Sequence, residues 1–210
     1  MSLTEAQKSF FKNAFSDFWP FMERFDFERP SIFYEMEQQY RAYGVYSIGP
    51  WFGRLLNFLV RFGQVKTILE FGTASGYSAI WLARGLPAGG MVTTIERDRR
   101  VLQLARQNIA RAGLADKITI VAGEANAVVA TLTQPFDFFF VDCAHFVALE
   151  TSRELLRPGG LFVCDNVGFH GHESFNEALT HSAHLETLFL QTYLKDRIPE
   201  NTALSISIRV

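Results

Sequence analysis

The sequence predicts an α/β fold: a doubly wound, seven-stranded, mostly parallel sheet with an antiparallel strand at its C-terminal edge and a set of helices ahead of it. Two observations carry that expectation. From residue 67 onward, apolar runs of strand length alternate with segments of helical apolar spacing, the pattern of a parallel sheet covered on both faces. Four of those runs end on an acidic residue, at Glu70, Glu96, Asp142 and Asp165. In such a sheet the carboxyl ends of the strands line up along one edge, where ligands bind. A row of carboxylates there repels itself unless ligand hydroxyls, a cationic group or a metal ion fills the crevice. The chain reads as built around a small-molecule site.

The elements follow in order. Thr67 to Glu70 is the first strand, and Tyr77 to Arg84 a helix closed by Gly85. Met91 to Glu96 is the second strand. Asp98 to Ala112 carries Val101, Leu102, Leu104, Ala105, Ile109 and Ala112 at helical spacing and stops at Gly113. Then come a strand at Ile118 to Val121, a helix at Ala125 to Leu132 and a strand ending at Asp142. A helix at Phe146 to Leu156 is stopped by Arg157-Pro158-Gly159-Gly160 and leads to the strand ending at Asp165. The tail reads as a helix from Glu173 to Ser182, a segment Leu185 to Tyr193, and an alternating run Ala203 to Val210 that suits an antiparallel edge strand.

Ahead of the sheet, residues 1–62 form a very aromatic stretch, with Phe10, Phe11, Phe15, Phe18, Trp19, Phe21, Phe25, Phe27, Phe33 and Tyr34. Candidate helices are Thr4 to Phe18, Ile32 to Tyr43 and Trp51 to Phe62. The first reading is a helical layer on the core at 63–210, all within one domain; a homodimer contact or a substrate lid is the second, because exposed aromatic patches are uncommon in monomers.

With 210 residues, 48% of them hydrophobic, the chain can bury a full core in one domain. A net charge of −2 with interspersed signs argues against a nucleic-acid partner. No apolar stretch is long enough to span a bilayer, and MSLTEAQKSF lacks the basic start and apolar centre of a signal peptide, which points to a cytoplasmic protein. Cys143 and Cys164 are the only cysteines and read as buried free thiols.

The loop Gly72-Thr73-Ala74-Ser75-Gly76 joins the first strand to a helix, where glycines admit a ligand close to the backbone and the helix start offers N–H groups. Glu96 lies twenty residues beyond Gly76, at the end of the next strand, where a carboxylate can accept from both ribose hydroxyls. Dinucleotide-binding folds place an acid similarly. However, position 74 is Ala where the dinucleotide fingerprint has Gly, and Glu70 just before the loop would repel a pyrophosphate yet tolerate a sulfonium. S-adenosylmethionine suits the site better than NAD.

The segments LEFGTASGYSAIWLA, GGMVTTIERD, LARQNIARAGLADKI, GEA, PFDFFFVDCAH, LLRPGGLFVCDNV and TALSISIRV, in this order, resemble the cation-dependent class I O-methyltransferases, the group of the caffeoyl-CoA and catechol enzymes. The resemblance implies a Rossmann-like core, S-adenosylmethionine, a small hydroxylated acceptor and a divalent cation, magnesium first, with manganese or calcium as alternatives. It implies that Gly72, Thr73, Gly76, Tyr77 and Ser78 frame the methionine part, that Glu96 holds the ribose, and that Glu124 and Ala125 sit by the adenine; Glu70, before the loop, counts with the cofactor-binding residues. Asp142, Asp165 and Asn166 match its metal positions, with Asp142 also at the cofactor.

Two carboxylates and an amide oxygen are hard ligands suited to such an ion and leave positions open for two vicinal hydroxyls. Chelation lowers the acceptor's pKa and aims its oxygen at the methyl group. The alternatives at these positions are a helix N-cap for Asp142 and a turn signal for Asp165-Asn166. His145 stands where the family has Lys. It reads either as a general base or as a helix-start residue bonded to backbone. The segment Val167 to Glu173 is shorter than the family's substrate loop, so the acceptor is not inherited. His170 and His172 read as solvated, His181 and His184 as helix surface. Besides the metal-assisted O-methyltransferase, a metal-independent methyltransferase and a non-catalytic binding or assembly protein remain as readings.

Overall fold

The computed structural model describes residues 29–44, 46–191 and 203–210. The elements described below lie in one compact unit, Ile32–Val210, apart from Ser31 at the start of α1. The expected helix Thr4 to Phe18, with the aromatic residues as far as Phe27, lies outside the described residues, as do Thr192 and Tyr193.

The elements are α1 (Ser31–Tyr43), α2 (Gly49–Phe62), β1 (Thr67–Phe71), α3 (Tyr77–Gly85), β2 (Met91–Glu96), α4 (Arg99–Arg111), β3 (Ile118–Ala122), α5 (Ala125–Val129), β4 (Phe136–Val141), α6 (His145–Leu155), β5 (Leu156–Cys164), α7 (Glu173–Thr180), β6 (Leu185–Gln191) and β7 (Ala203–Arg209). Local chemistry explains the boundaries. Pro50 opens α2, where its missing N–H costs nothing. Asp98 caps α4 by accepting from the Arg100 N–H, and Gly113, at φ +69°, ends it in a left-handed turn. The helix expected to reach Leu132 stops at Val129, where Thr131 turns its hydroxyl back onto the Val128 carbonyl.

The sheet order is β3-β2-β1-β4-β5-β7-β6. Strands β1 to β5 pair in parallel, and β7 is antiparallel to both of its neighbours. The C-terminal strand is thus antiparallel as expected but lies one place in from the edge, which β6 forms. Its alternation misled because Ser205 and Ser207 are buried, whereas Ile208 is exposed; Ser207 is paired across the ladder with the Thr187 hydroxyl at 2.8 Å. Arg157-Pro158-Gly159-Gly160 does end α6, yet it also lies within β5. Leu156 pairs with Phe136 and Leu161 with Phe138, so the four residues loop out of the ladder and rejoin it.

Each face of the sheet carries its own apolar layer. Ile68, Val92, Phe138, Phe140 and Val163 pack with α1 to α4, while Leu69, Phe71, Phe139, Val141 and Phe162 pack with α5 to α7. Phe136 shares its layer with Phe139 because the β4 register shifts between Phe136 and Phe138. That shift frees Asp137, whose carboxylate accepts from the Lys66 and Thr67 N–H groups at the start of β1. No helix among the described residues is long and apolar enough to cross a membrane.

The α2–α3 contact is the tightest in the helical layer. Asn57 donates to the Trp81 carbonyl at 3.0 Å, Phe33 stacks on the Trp81 ring, and a Cβ at Gly53 would lie 2.3 Å from that ring. Gly53→Ala is therefore expected to destabilise the protein by about 1–3 kcal/mol through overpacking, read as a lower urea midpoint at unchanged slope. A midpoint equal to wild type would show that the layer yields.

Candidate active site

The strand order reverses between β1 and β4, and the acids gather there. The ladder continues one residue beyond each strand: Gly72 N donates to Ile95 O at 3.0 Å, Gly123 N to Glu96 O at 2.9 Å, Asp142 N to Phe71 O at 3.0 Å and Asp165 N to Val141 O at 2.9 Å. The residues after β1, β3, β4 and β5 are thereby fixed at the sheet's own spacing, about 4.8 Å from strand to strand.

The loop 72–76 turns through positive φ at Gly72 (+103°), Ala74 (+47°) and Gly76 (+86°). Gly72 is needed for its bareness as well, since a Cβ there would sit 3.2 Å from the Cys143 sulfur. Glu96 holds the turn: its Oε2 accepts from the Ala74 N–H at 2.9 Å and its Oε1 from the Asp98 N–H at 2.8 Å. Both oxygens keep lone pairs for further donors. Thr73 joins the Thr94 hydroxyl at 2.7 Å, and the buried Asn108 amide donates to the Ser75 carbonyl and to Gln39. Sequence reasoning missed Asn108; the signal was a polar residue inside the apolar stripe of α4. Tyr77 turns away from the loop, its ring against Phe33 and its hydroxyl donating to Glu37 at 2.7 Å, so its side chain frames α1.

Glu70 is wholly buried under the same loop. The Ser78 and Thr94 hydroxyls lie beside it, but neither carboxylate oxygen has a hydrogen bond of ordinary geometry. Burial pushes its pKa from 4.5 up to about 7, and the Glu96 charge adds to the rise against the pull of the two hydroxyls.

Asp142, Asp165 and Asn166 come together across β4 and β5. The Asn166 Nδ2 donates to Asp142 Oδ1 at 2.6 Å, and its backbone N–H donates to Asp165 Oδ1 at 2.8 Å. Asp165 is only 6% exposed. Among the described residues no three His, Cys, Asp or Glu side chains cluster as metal ligands. The set here is two carboxylates and an amide, whose oxygen reaches Asp142's neighbourhood by a half-turn of the side chain. These hard oxygens fit a cation of the magnesium class.

His145 begins α6 and places Nε2 3.0 Å from the Asp165 carbonyl oxygen. Burial lowers its pKa, opposed by the Asp165 carbonyl and aided by His172. His172 packs edge to face on the His145 ring with its Nδ1 sealed from solvent, so it is not the solvated residue expected; His170 is exposed, as expected. His184 follows α7 rather than lying on it, and its ring bridges the Ser152 and Ser182 hydroxyls at 2.9 Å each. Cys164 is buried, but Cys143 is exposed because it follows Asp142 past the strand end. Enclosure of its inner side, with the Asp142 and Glu96 charges, pushes the Cys143 thiol up to about 12 and keeps it protonated. Glu124, at the start of α5, is mostly exposed beside Arg97 at 3.8 Å, with Ala125 behind it.

The buried Glu70 makes stability depend on pH. Its folded pKa is raised, so the folded state holds the proton that the unfolded chain gives up above 4.5. The stabilisation is complete below 4.5 and is lost as pH rises through about 7. The loss is roughly 3 kcal/mol at ~1.4 kcal/mol per unit. In denaturant titrations from acid to mildly alkaline pH, the wild type is expected to weaken relative to Glu70→Gln over that window. A difference between the two that does not change with pH would contradict the burial argument.

The O-methyltransferase family profile matches residues 34–206. A catechol O-methyltransferase of Niastella koreensis is 39% identical over 128 residues, 58% of this chain and 58% of that protein, so the chain spans less than two thirds of the length of the curated relative it matches. Solved structures are covered more fully. An O-methyltransferase from Bacillus cereus in complex with SAH has a TM-score of 0.81 at 27% identity over 91% of this chain and 96% of that one. The O-methyltransferase TomG from Streptomyces achromogenes, involved in tomaymycin synthesis and in complex with SAM, has a TM-score of 0.79 at 26% identity over 90% and 94%. The matched span takes in all the strand-end acids, the glycine loop and Asn166, and the chain belongs to the O-methyltransferase family.

Proposed function

We propose that this protein transfers a methyl group from S-adenosylmethionine to a hydroxyl of a small acceptor, with two vicinal hydroxyls as in a catechol, and that a divalent cation held by Asp142, Asp165 and Asn166 assists. The observation that carries this reading is the convergence of those three side chains beside a glycine turn that Glu96 braces. The likeness to structures in complex with SAH and SAM, and to a catechol O-methyltransferase, supports it.

When bound, the cofactor would supply a methyl group on a positive sulfur, which departs as the neutral thioether, and the cation would lower the pKa of the acceptor hydroxyl so that its proton is given up to solvent. The residues supply position. Glu96 accepts the two ribose hydroxyls on the lone pairs that its backbone bonds leave over, and the turn 72–76 lets the methionine part approach the main chain. Glu124 and Ala125 border the base. Asp142 and Asp165, with the Asn166 oxygen, would hold the cation on the β4–β5 side of the crevice, where it would take the acceptor hydroxyls. Alignment of this kind accounts for much of a transfer that needs little covalent help from the protein.

Two measurements test the reading. In calorimetry, Glu96→Ala should weaken S-adenosylmethionine binding at least about tenfold, since a hydrogen bond to a charged group contributes roughly 1.5–3 kcal/mol. NADH binding with none for S-adenosylmethionine would overturn the cofactor assignment. With labelled cofactor and a panel of catechols and other phenols, turnover should vanish in chelator, return with magnesium or manganese, and be absent in Asp165→Ala while its cofactor affinity persists. Full turnover in excess chelator would leave the methyltransferase reading and remove the cation.

A further inference from the structure

We propose that His145 is a positioning residue: it locks the Asp165–Asn166 peptide in the orientation that aims both side chains at the cation, rather than taking a proton from the acceptor. This rests on the cation-assisted reading above. A carbonyl oxygen only accepts, so the 3.0 Å contact to the Asp165 carbonyl makes Nε2 of His145 the protonated nitrogen. The other side of the same peptide is also held, because the Asn166 N–H donates to Asp165 Oδ1 at 2.8 Å. With its C=O and N–H both committed, the peptide plane cannot rotate without losing two hydrogen bonds.

That plane matters because Asn166 has φ +65°, in the left-handed region that side chains other than glycine's seldom occupy. In an extended conformation the Asn166 amide would leave the backbone in another direction and lose its 2.6 Å contact with Asp142. The imidazole is itself clamped. His172, in the segment after β5, lies edge to face at 4.9 Å between centroids, and Phe175 on α7 lies at 5.1 Å. The ring therefore ties the start of α6 and the start of α7 to the end of β5. A side chain held on two sides and bonded at its tip suits a strut better than a base that must follow its substrate.

The test uses the 210-residue chain with Mn2+ as the probe, without acceptor for the binding measurements and with the labelled cofactor and catechol panel for turnover. His145→Gln carries an N–H near the place of Nε2–H, whereas His145→Asn and His145→Ala do not. Mn2+ binding, followed by electron paramagnetic resonance and calorimetry, is expected to weaken about 10–100-fold in the Ala and Asn variants, the usual cost of losing a group that orients a metal ligand. The Gln variant is expected to bind Mn2+ close to wild type. S-adenosylmethionine affinity, unchanged throughout, reports that the fold is intact. Turnover lost in His145→Ala should return as Mn2+ is raised to saturation. Wild-type Mn2+ affinity in His145→Ala, or a turnover loss of about 10²-fold or more that persists at saturating Mn2+, would overturn the proposal, the latter marking His145 as the base. Absence of Mn2+ binding in the wild-type protein would overturn the cation reading and this inference with it.

Discussion

The crevice depends on the ladder that runs one residue past the strands. Four backbone hydrogen bonds, from Gly72, Gly123, Asp142 and Asp165 to carbonyls of the adjacent strand, extend the sheet's spacing into the loops. Loop residues are ordinarily the least constrained part of a fold. Here their first peptides inherit the rigidity of a buried sheet whose central strand, β4, contributes Phe138, Phe139 and Phe140, all fully buried. The position of Asp142 relative to Asp165 is thus set by strand pairing and not by loop length.

Bringing acids to one edge creates repulsion, and each acid is quieted differently. Glu70 is deprived of water until the neutral form competes, and its carboxyl titrates near 7. Glu96 is engaged by two backbone N–H groups, those of Ala74 and Asp98. Asp142 and Asp165 share the Asn166 side chain and backbone as donors. The same chemistry sorts their positions: Glu70 is sealed beneath the loop, Glu96 braces it, and Asp142 and Asp165 are both bonded to Asn166.

Much of this was legible in the sequence because it depends on short patterns. The strand-then-acid motif, the glycine turn and Asp165-Asn166 are local, and parallel pairing places their ends on one edge whatever the loops do. What escaped notice depends on distant pairing. The alternation of Ala203 to Arg209 reports two faces of unequal polarity, and only the partner strands decide whether the serine face meets water or the Thr187 hydroxyl. His172 looked solvated because its neighbours are Gly171 and Glu173; it is half-buried, its ring against that of His145, which is 27 positions away in a different element. Asn108, which went unremarked in the apolar stripe of α4, takes its meaning from the carbonyl of Ser75. Tyr77 lies in the motif, but its side chain follows the helix and not the loop.

Backbone strain marks the same place. Among the described residues four non-glycine positions have positive φ: Gln64, Ala74, Ala144 and Asn166. Three of them stand just past the ends of β1, β4 and β5, around the crevice. Left-handed backbone costs an alanine roughly 1–2 kcal/mol, so Ala74 and Ala144 are held there by their surroundings. At Ala74 the hold is visible, for the Glu96 carboxylate accepts its N–H. At Ala144 the turn delivers the chain from Asp142 into α6 within two residues and so brings His145 back toward Asp165. A glycine in either place would relieve the strain but would also widen the conformations open to the loop. The strained alanines therefore hold the turn after β1 and the start of α6 where acids, turn and imidazole meet, strain that persists because the surroundings fix it.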